Sequence, residues 1–338
     1  MVDATGGSAA VGRPAGCAAV ARIGVLTSGG DAPGMNAAVR AVVRQAAALG
    51  METVGIEHGF AGLLSGGFRP LPLGAVGGIL HRGGTVLYTA RCEEFKERRA
   101  QEKAVANLRA AGIEGLVVIG GDGSFRGAQA LHELGFPVVA LPGTIDDDIP
   151  FTEHSIGFDT AVNTAVWAID RIRDTATSHE RIFVIEVMGR TTGHLALAVG
   201  LAAGAESVVV PEFPEPIEEI CARVVRGRNR GKKHDLIVVA EGAGSAYDLA
   251  REVQSRTGME TRVTVLGHIQ RGGSPTAYDR ALASRLGAAA VEALRQGMSG
   301  VMAGLVGGEV RFTALPQVLS QRRPLDRRLW ELTHVLAI

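Results

Sequence analysis

Cysteine is scarce: Cys17, Cys92 and Cys221 form an odd, widely spaced set that supports neither a disulfide framework nor a thiolate metal cluster. That usage fits a reducing compartment. Aromatic residues are only 4% of the chain, so its core is expected to be aliphatic. Charge of one sign is missing too, since 35 basic side chains balance 35 acidic ones. Such a balance gives no electrostatic footprint for nucleic acid or an anionic membrane. The longest apolar run, Leu195 to Ala205, is closed by His194 and Glu206 and is too short to span a bilayer. Ala15-Gly16-Cys17 looks like the tail of an export cleavage site, but no basic start or apolar segment precedes it, and Arg13 and Pro14 break the approach. Residues 1–20 are therefore expected to be a mobile leader on a cytoplasmic protein.

What is present points to a folded α/β protein. Apolar residues reach 46% and charged residues 21%, enough for a sizeable core. At roughly 150 residues per domain, the length suggests about two domains. The 46 glycines fall in short clusters between apolar runs, where they serve turns and close backbone approach. From Arg22 onward, β-branched runs alternate with helical patterns. Ile23 to Leu26 precedes a helix over Pro33 to Leu49, with Asp31 as candidate cap. Leu116 to Ile119 leads to Ser124 to Leu134, and Pro137 to Leu141 to Thr160 to Ile172. Three more pairs follow: Ile182 to Val187 with Thr191 to Ala203, Leu236 to Ala240 with Tyr247 to Arg256, and Val263 to Leu266 with Pro275 to Leu294. Strand, turn and helix repeated this way predict mostly parallel sheets sandwiched by helices, with ligands at the edge where strands end. A simple boundary between lobes falls in the polar stretch after Asp148.

Four of the turns carry chemistry. Thr27 to Asn36 holds the paired Gly29 and Gly30 before a helix, which suits an anion or merely a tight turn. Gly120-Gly121-Asp122-Gly123-Ser124 lets a phosphate chain approach while Asp122 holds a metal ion, although it is neither a Walker loop nor a full G-x-G-x-x-G. Pro142 to Asp148 puts three carboxylates after a buried strand. In an extended segment Asp146 and Asp148 face one side and Asp147 the other. One can accept a hydroxyl proton while another helps to hold Mg²⁺, unless the loop is simply solvated. Finally Arg181, Arg190, Arg262, His268 and Arg271 lie near predicted strands and together suit a phosphorylated substrate, though each alone could be structural. Glu241, ending a strand, could meet a sugar hydroxyl or a cation.

These segments together resemble the bacterial 6-phosphofructokinase family: Ile23 to Arg44, the GGDGS turn, PGTIDDD, VMGR and VLGHIQRGGSP line up from about Ile23 past Leu294. The resemblance implies two similar Rossmann-like lobes, with residues 21–157 plus 270–320 binding nucleotide and 158–269 plus 321–338 binding fructose 6-phosphate. It implies a homotetramer with shared active sites, and ATP and Mg²⁺ as co-substrate and cofactor. Asp146 becomes the base for the sugar 1-hydroxyl, beside Thr144, with Arg190 and Arg91 stabilising the transferring phosphoryl group. Gly30, Gly121, Gly123, Ser124 and Gly127 fall at the nucleotide phosphates, Phe60, Cys92 and Lys96 at the adenosine, and Asp122 and Asp148 at Mg²⁺. Met188, Gly189, Glu241, His268 and Arg271 match the sugar-phosphate site, with Arg181 and Arg262 reaching in from a neighbouring subunit.

Two departures matter. Asp147 stands where the family usually has Asn, and its extra charge is expected to disfavour ionisation of its neighbours unless Mg²⁺ compensates. At the implied effector site Arg40, Arg44, Arg173, Glu206, Arg230 and Lys232 are compatible, but Leu73 replaces a basic residue, which argues against control by ADP or phosphoenolpyruvate. The alternatives are a pyrophosphate-dependent phosphofructokinase, an NAD or lipid kinase sharing the GGDG turn, and a non-catalytic sugar-phosphate sensor. The NAD or lipid kinase reading has no use for the basic set, and the sensor has none for Asp146. By the same resemblance, pyrophosphate-using relatives tend to carry an Asp at the position of Gly123 and a Lys at that of Gly143, where this chain has no side chain.

Overall fold

The computed structural model describes residues 20–337; most of the expected leader, with Cys17, lies outside them. Seven strands make the first sheet, in the order β11–β10–β5–β4–β1–β2–β3. They are β1 (Arg22–Thr27), β2 (Glu52–Ile56), β3 (Phe68–Pro70), β4 (Gly115–Gly120), β5 (Val138–Pro142), β10 (Val301–Val306) and β11 (Glu309–Ala314). The second sheet, β7–β8–β6–β9, contains β6 (Ile182–Val187), β7 (Ser207–Val209), β8 (Asp235–Ala240) and β9 (Thr261–Val265). All pairings in the second sheet are parallel, whereas the first ends in antiparallel strands at both edges, β3 on β2 and β11 on β10. The central strands β4 and β5 are buried throughout, as near-continuous apolar runs covered on both faces must be.

Helices α1 (Met35–Ala48), α2 (Gly59–Ser65), α3 (Arg98–Ala110) and α4 (Asp122–Glu133) belong to the first half of the chain. Then come α5 (Phe158–His179), α6 (His194–Ala203), α7 (Ile217–Asn229), α8 (Ala246–Thr257), α9 (Ala277–Arg295), α10 (Leu315–Ser320) and α11 (Arg327–Leu336). Asp31 does not cap α1. That place is taken by Gly34 at φ 106°, a left-handed conformation that glycine adopts at low cost. Likewise α6 begins at His194, not Thr191, and α5 runs past Ile172 to His179. The scarcity of aromatics shows in how α1 meets α9: a Cβ on Gly287 would lie 2.8 Å from that of Ala41. Two backbones can approach so closely only through small residues, and a Leu at 287 would push them apart at ~1–3 kcal/mol or more.

The chain does not change sheets at the polar stretch after Asp148. Glu153 still donates its N–H to the Leu305 carbonyl, and Gly143 bridges to Ile156. The chain passes to the second sheet only through α5, and α9 returns it to the first. Asp279 of α9 accepts from the Gly157 and Thr160 N–H groups, at 2.8 Å each, and so satisfies the start of α5 across the crossover. Among the described residues, no helix is long and apolar enough to cross a membrane.

Candidate active site

The strand-to-helix turns of the first sheet surround a cavity that opens to solvent. Four segments build it. After β1, Gly29 takes φ 85°, and Thr89 Oγ1 donates to its carbonyl at 2.7 Å, which draws the Ala90–Glu93 segment over the cavity. Asn36, in the first turn of α1, accepts from the Val86 N–H at 2.7 Å and donates to the Arg82 and Gly83 carbonyls, so it anchors the approach to that segment. After β4, α4 starts at Asp122 with no side-chain cap, so its N-terminus faces the cavity from the Gly121–Ser124 wall. Free N–H groups and the helix dipole there favour an anion.

The third segment follows β5. The Asp146 N–H donates to Thr144 Oγ1 at 3.2 Å, and Asp147 then takes φ 52°, so the chain reverses sharply. Asp146 and Asp148 thereby face the cavity while Asp147 does not line it, the alternation expected for these three carboxylates. Asp146 is 2% exposed, and its Oδ1 has no hydrogen-bond partner. The fourth segment comes from the second sheet. Arg190, after β6, adopts φ 54°, and its N–H donates to Glu241 Oε1 at 2.6 Å. A non-glycine residue in that region is uncommon and is held by its surroundings. So held, Arg190 places Nε 3.3 Å from Asp146 Oδ2. The two sheets thus meet at this pair.

Burial pushes the Asp146 carboxyl above its ordinary range, against the pull of Arg190 and Arg271; the Glu241 charge adds to the rise. Asp148 rises to about 6, through burial first and the Asp146 charge second. Asp147 does not share their cavity. It is 2% exposed and points inward to Arg323, with Nη1 3.2 Å from its Oδ2, and to His154 Nδ1 at 3.0 Å. The expected burden of a third carboxylate is therefore met within the chain by a cation.

Of the expected site residues, Gly30, Phe60, Arg91, Cys92, Gly121, Asp122, Gly123, Ser124, Thr144, Asp146, Asp148, Arg190 and Arg271 line one cavity. Gly127 lies beneath it, where any larger residue would collide with the Phe60 ring. Lys96 does not line it and pairs instead with Glu93 at 2.5 Å. Met188 is tied to the Gly267–Arg271 turn through its N–H to Gln270 Oε1 at 3.0 Å, with Gly189 next to it and His268 exposed on that turn. Arg181 and Arg262 do not reach the cavity; both pair with Glu260 beside β9. At the implied effector site, α1 carries Arg40 and Arg44 and packs on the turn holding exposed Leu73, whereas Arg230 and Lys232 line a separate cleft. Lys232 sits 3.4 Å from Glu206, and Arg173 donates to the Ala203 carbonyl. Gly143, named above for the choice of donor, lines it too, as do Ser28, Ala90 and Glu93, which the sequence reading gave no role. Their only signal was adjacency to the glycine turns and to Arg91 and Cys92.

A metal would find two carboxylates here. Asp122 and Asp148 share the cavity, and the raised Asp148 is a group that a divalent cation would relieve. Asp122 is now bridged by Arg126, with Nε 3.0 Å away. Among the described residues no group of three or more His, Cys, Asp and Glu side chains is placed to hold a metal alone. Two carboxylates completed by phosphate oxygens and water are the usual Mg²⁺ arrangement in phosphoryl-transfer sites, so the donor set fits that ion.

The sequence model described as Phosphofructokinase matches residues 22–294. A curated relative, the ATP-dependent 6-phosphofructokinase of Halalkalibacterium halodurans, is 60% identical over 317 residues, 94% of this chain and 99% of its own. The solved structure of phosphofructokinase from Saccharomyces cerevisiae superposes with a TM-score of 0.84 at 36% identity, covering 89% of this chain and 45% of the yeast chain. A pyrophosphate-dependent phosphofructokinase from Nitrosospira multiformis gives a TM-score of 0.82 at 23% identity, covering 90% of this chain and 86% of that one, a likeness of fold.

Proposed function

Because this chain belongs to the phosphofructokinase family, we infer that it transfers the γ-phosphoryl group of ATP to the 1-hydroxyl of fructose 6-phosphate, giving fructose 1,6-bisphosphate and ADP. The observation that carries the reading is Asp146: a buried carboxylate with one unpartnered oxygen and the other on Arg190, at the edge of a glycine-walled cavity. Its raised pKa brings it nearer neutrality, which favours a base that must take a proton and later release it. The hydroxyl proton passes to Asp146 as the sugar oxygen bonds to the γ-phosphorus and the β–γ bridge bond breaks, leaving ADP. Arg190 and Arg91 bear on the three oxygens of the moving group, where positioning and charge supply most of the catalysis. Thr144 holds the turn that presents the base.

The nucleotide phosphates lie on Gly30, Gly121, Gly123 and Ser124, with the adenosine toward Phe60 and Cys92 and with Lys96 at the rim. Asp122 and Asp148 hold Mg²⁺, which when bound neutralises phosphate charge. Met188, Gly189, Glu241, His268 and Arg271 take the sugar phosphate. Arg181 and Arg262, turned away from the cavity of their own chain, complete the site of a neighbouring subunit in a homotetramer. The first sheet with α9 forms the nucleotide lobe (21–157 plus 270–320) and the second sheet the sugar lobe (158–269 plus 321–338). A cytoplasmic setting suits a glycolytic kinase of this kind.

ATP is the donor because the positions that would block it carry no side chain. Space around Gly123 is open, and a Cβ at Gly143 would already lie 3.0 Å from Ile119, leaving little room for a long cation. Initial rates with ATP and with pyrophosphate at saturating fructose 6-phosphate, coupled to aldolase cleavage of the product, test this. Turnover with ATP and a negligible rate with pyrophosphate are expected; a faster pyrophosphate reaction refutes it.

A further inference from the structure

The base and its arginine partner come from different sheets, so something must set the distance between them. Asp146 follows β5 of the first sheet, and Arg190 follows β6 of the second. We propose that Arg323, on the segment between α10 and α11, is a positioning residue for this pair, bracing the Asp146 turn against the start of α6. The proposal rests on the functional reading above.

Four contacts carry it. The Arg323 guanidinium approaches Asp147 Oδ2 through Nη1 at 3.2 Å, next in sequence to the base. The same fork donates to the Thr152 carbonyl at 3.2 Å and to the Glu153 carbonyl at 2.6 Å, so it spans the turn and its continuation. On its backbone side, the Arg323 carbonyl meets His194 Nε2 at 3.4 Å, and His194 opens α6 just beyond the turn that carries Arg190. One residue therefore touches the supports of both catalytic groups without lining the cavity.

Asp147 transmits the grip. Its Oδ1 accepts from the Ser155 N–H at 2.8 Å, with Ser155 Oγ 3.2 Å away. Ser155 Oγ donates to the Thr144 carbonyl at 2.7 Å, and Thr144 Oγ1 accepts the Asp146 N–H. The line from guanidinium to base thus runs through buried groups with a partner at each step. It also holds Asp147 at φ 52°, a conformation that Asp tolerates but does not seek. A planar five-donor fork can hold a carboxylate and two carbonyls at once, which a lysine ammonium on a single point cannot do in the same geometry.

The test is a coupling measurement on the full-length enzyme. Arg323→Leu strands the Asp147 charge and frees the turn; kcat is expected to fall by about 10²-fold, the scale of a 1 Å misplacement, with KM for both substrates within a small factor. Adding Asp147→Asn removes the stranded charge while an amide oxygen still accepts from Ser155, and is expected to restore kcat by about tenfold or more. A merely structural role would lower the amount of folded enzyme and leave kcat per folded site unchanged. Should Arg323→Leu fail to fold, Arg323→Lys replaces it, with a partial kcat loss expected. Parental kcat in the Leu or Lys variant, or a loss that Asp147→Asn does not relieve, overturns the proposal. Hydrogen exchange at the Ser155 N–H, expected to quicken in these variants, needs no turnover; unchanged exchange also overturns it. Absence of ATP-dependent turnover in the parent enzyme would instead count against the reading of function.

Discussion

Replacing Asp146 by Ser separates chemistry from folding, because the two effects have opposite signs. A positioned base is worth on the order of 10²–10⁴ in rate, or about 3–5 kcal/mol of barrier. The stability term runs the other way. Burial raises the Asp146 pKa, so between the ordinary unfolded value and the folded one the native state binds more protons. Stability therefore falls as pH rises through that window, and above it the folded protein carries the full cost of the buried charge. Losing the ion pair costs little, since the Arg190 side chain is 60% exposed and exposed pairs contribute ~0–1 kcal/mol. Asp146→Ser at pH 8 should thus lose at least about 10²-fold in kcat while its Tm stays level or rises. Fructose 6-phosphate affinity should change little, because Met188, Glu241 and Arg271 remain. The assay is a coupled rate beside thermal unfolding of the same sample and a binding titration with the sugar phosphate. Turnover within tenfold of the parent would refute the base assignment, and a drop of several degrees in Tm would refute the charge argument.

Gly123→Asp should raise KM for ATP by ~10-fold or more, as an overpacking cost of 1–3 kcal/mol implies, with sugar-phosphate binding intact; unchanged ATP kinetics would show that the nucleotide avoids the start of α4. Arg262→Ala should be nearly inactive alone but regain part of its activity when co-assembled with Asp146→Ser, because an Arg262-bearing chain then completes an Asp146-bearing one. No recovery in a mixture shown by native mass spectrometry to contain hybrids would refute the shared site. Asp235 is fully buried with neither carboxylate oxygen hydrogen-bonded, and burial with the neighbouring Glu206 charge lifts it to about 6. Stability should fall between about pH 4 and 6 by up to ~3 kcal/mol on its account. Asp235→Asn should then raise Tm relative to the parent at pH 8 and less so at pH 5; a gap independent of pH refutes it.

The elements legible in the sequence were those whose signal is local. β4 and β5 are apolar runs closed by glycine or proline turns, and a chain buried on both faces has few other ways to look. β3 and β11 gave no such signal, because they are exposed edge strands defined by a partner and not by their own residues. The Asp31 cap expectation failed for a related reason: a carboxylate near a helix start is a common device, but a left-handed glycine at 34 serves the same backbone turn. The site followed the same rule. Residues at the ends of first-sheet strands converged on one cavity, whereas Arg181 and Arg262, grouped with the basic set because they lie near predicted strands, pair with Glu260 in their own chain. Asp147 marks the limit most clearly. As a letter in a run of three acids it meant added repulsion at the base, and the cation that cancels it stands 171 residues beyond Thr152, which shares its grip. Nothing along the sequence joins the two, because they meet only after α10 has carried the chain back past the turn. A charge in such a loop can be counted from the sequence, but its effect depends on the partner that packing supplies.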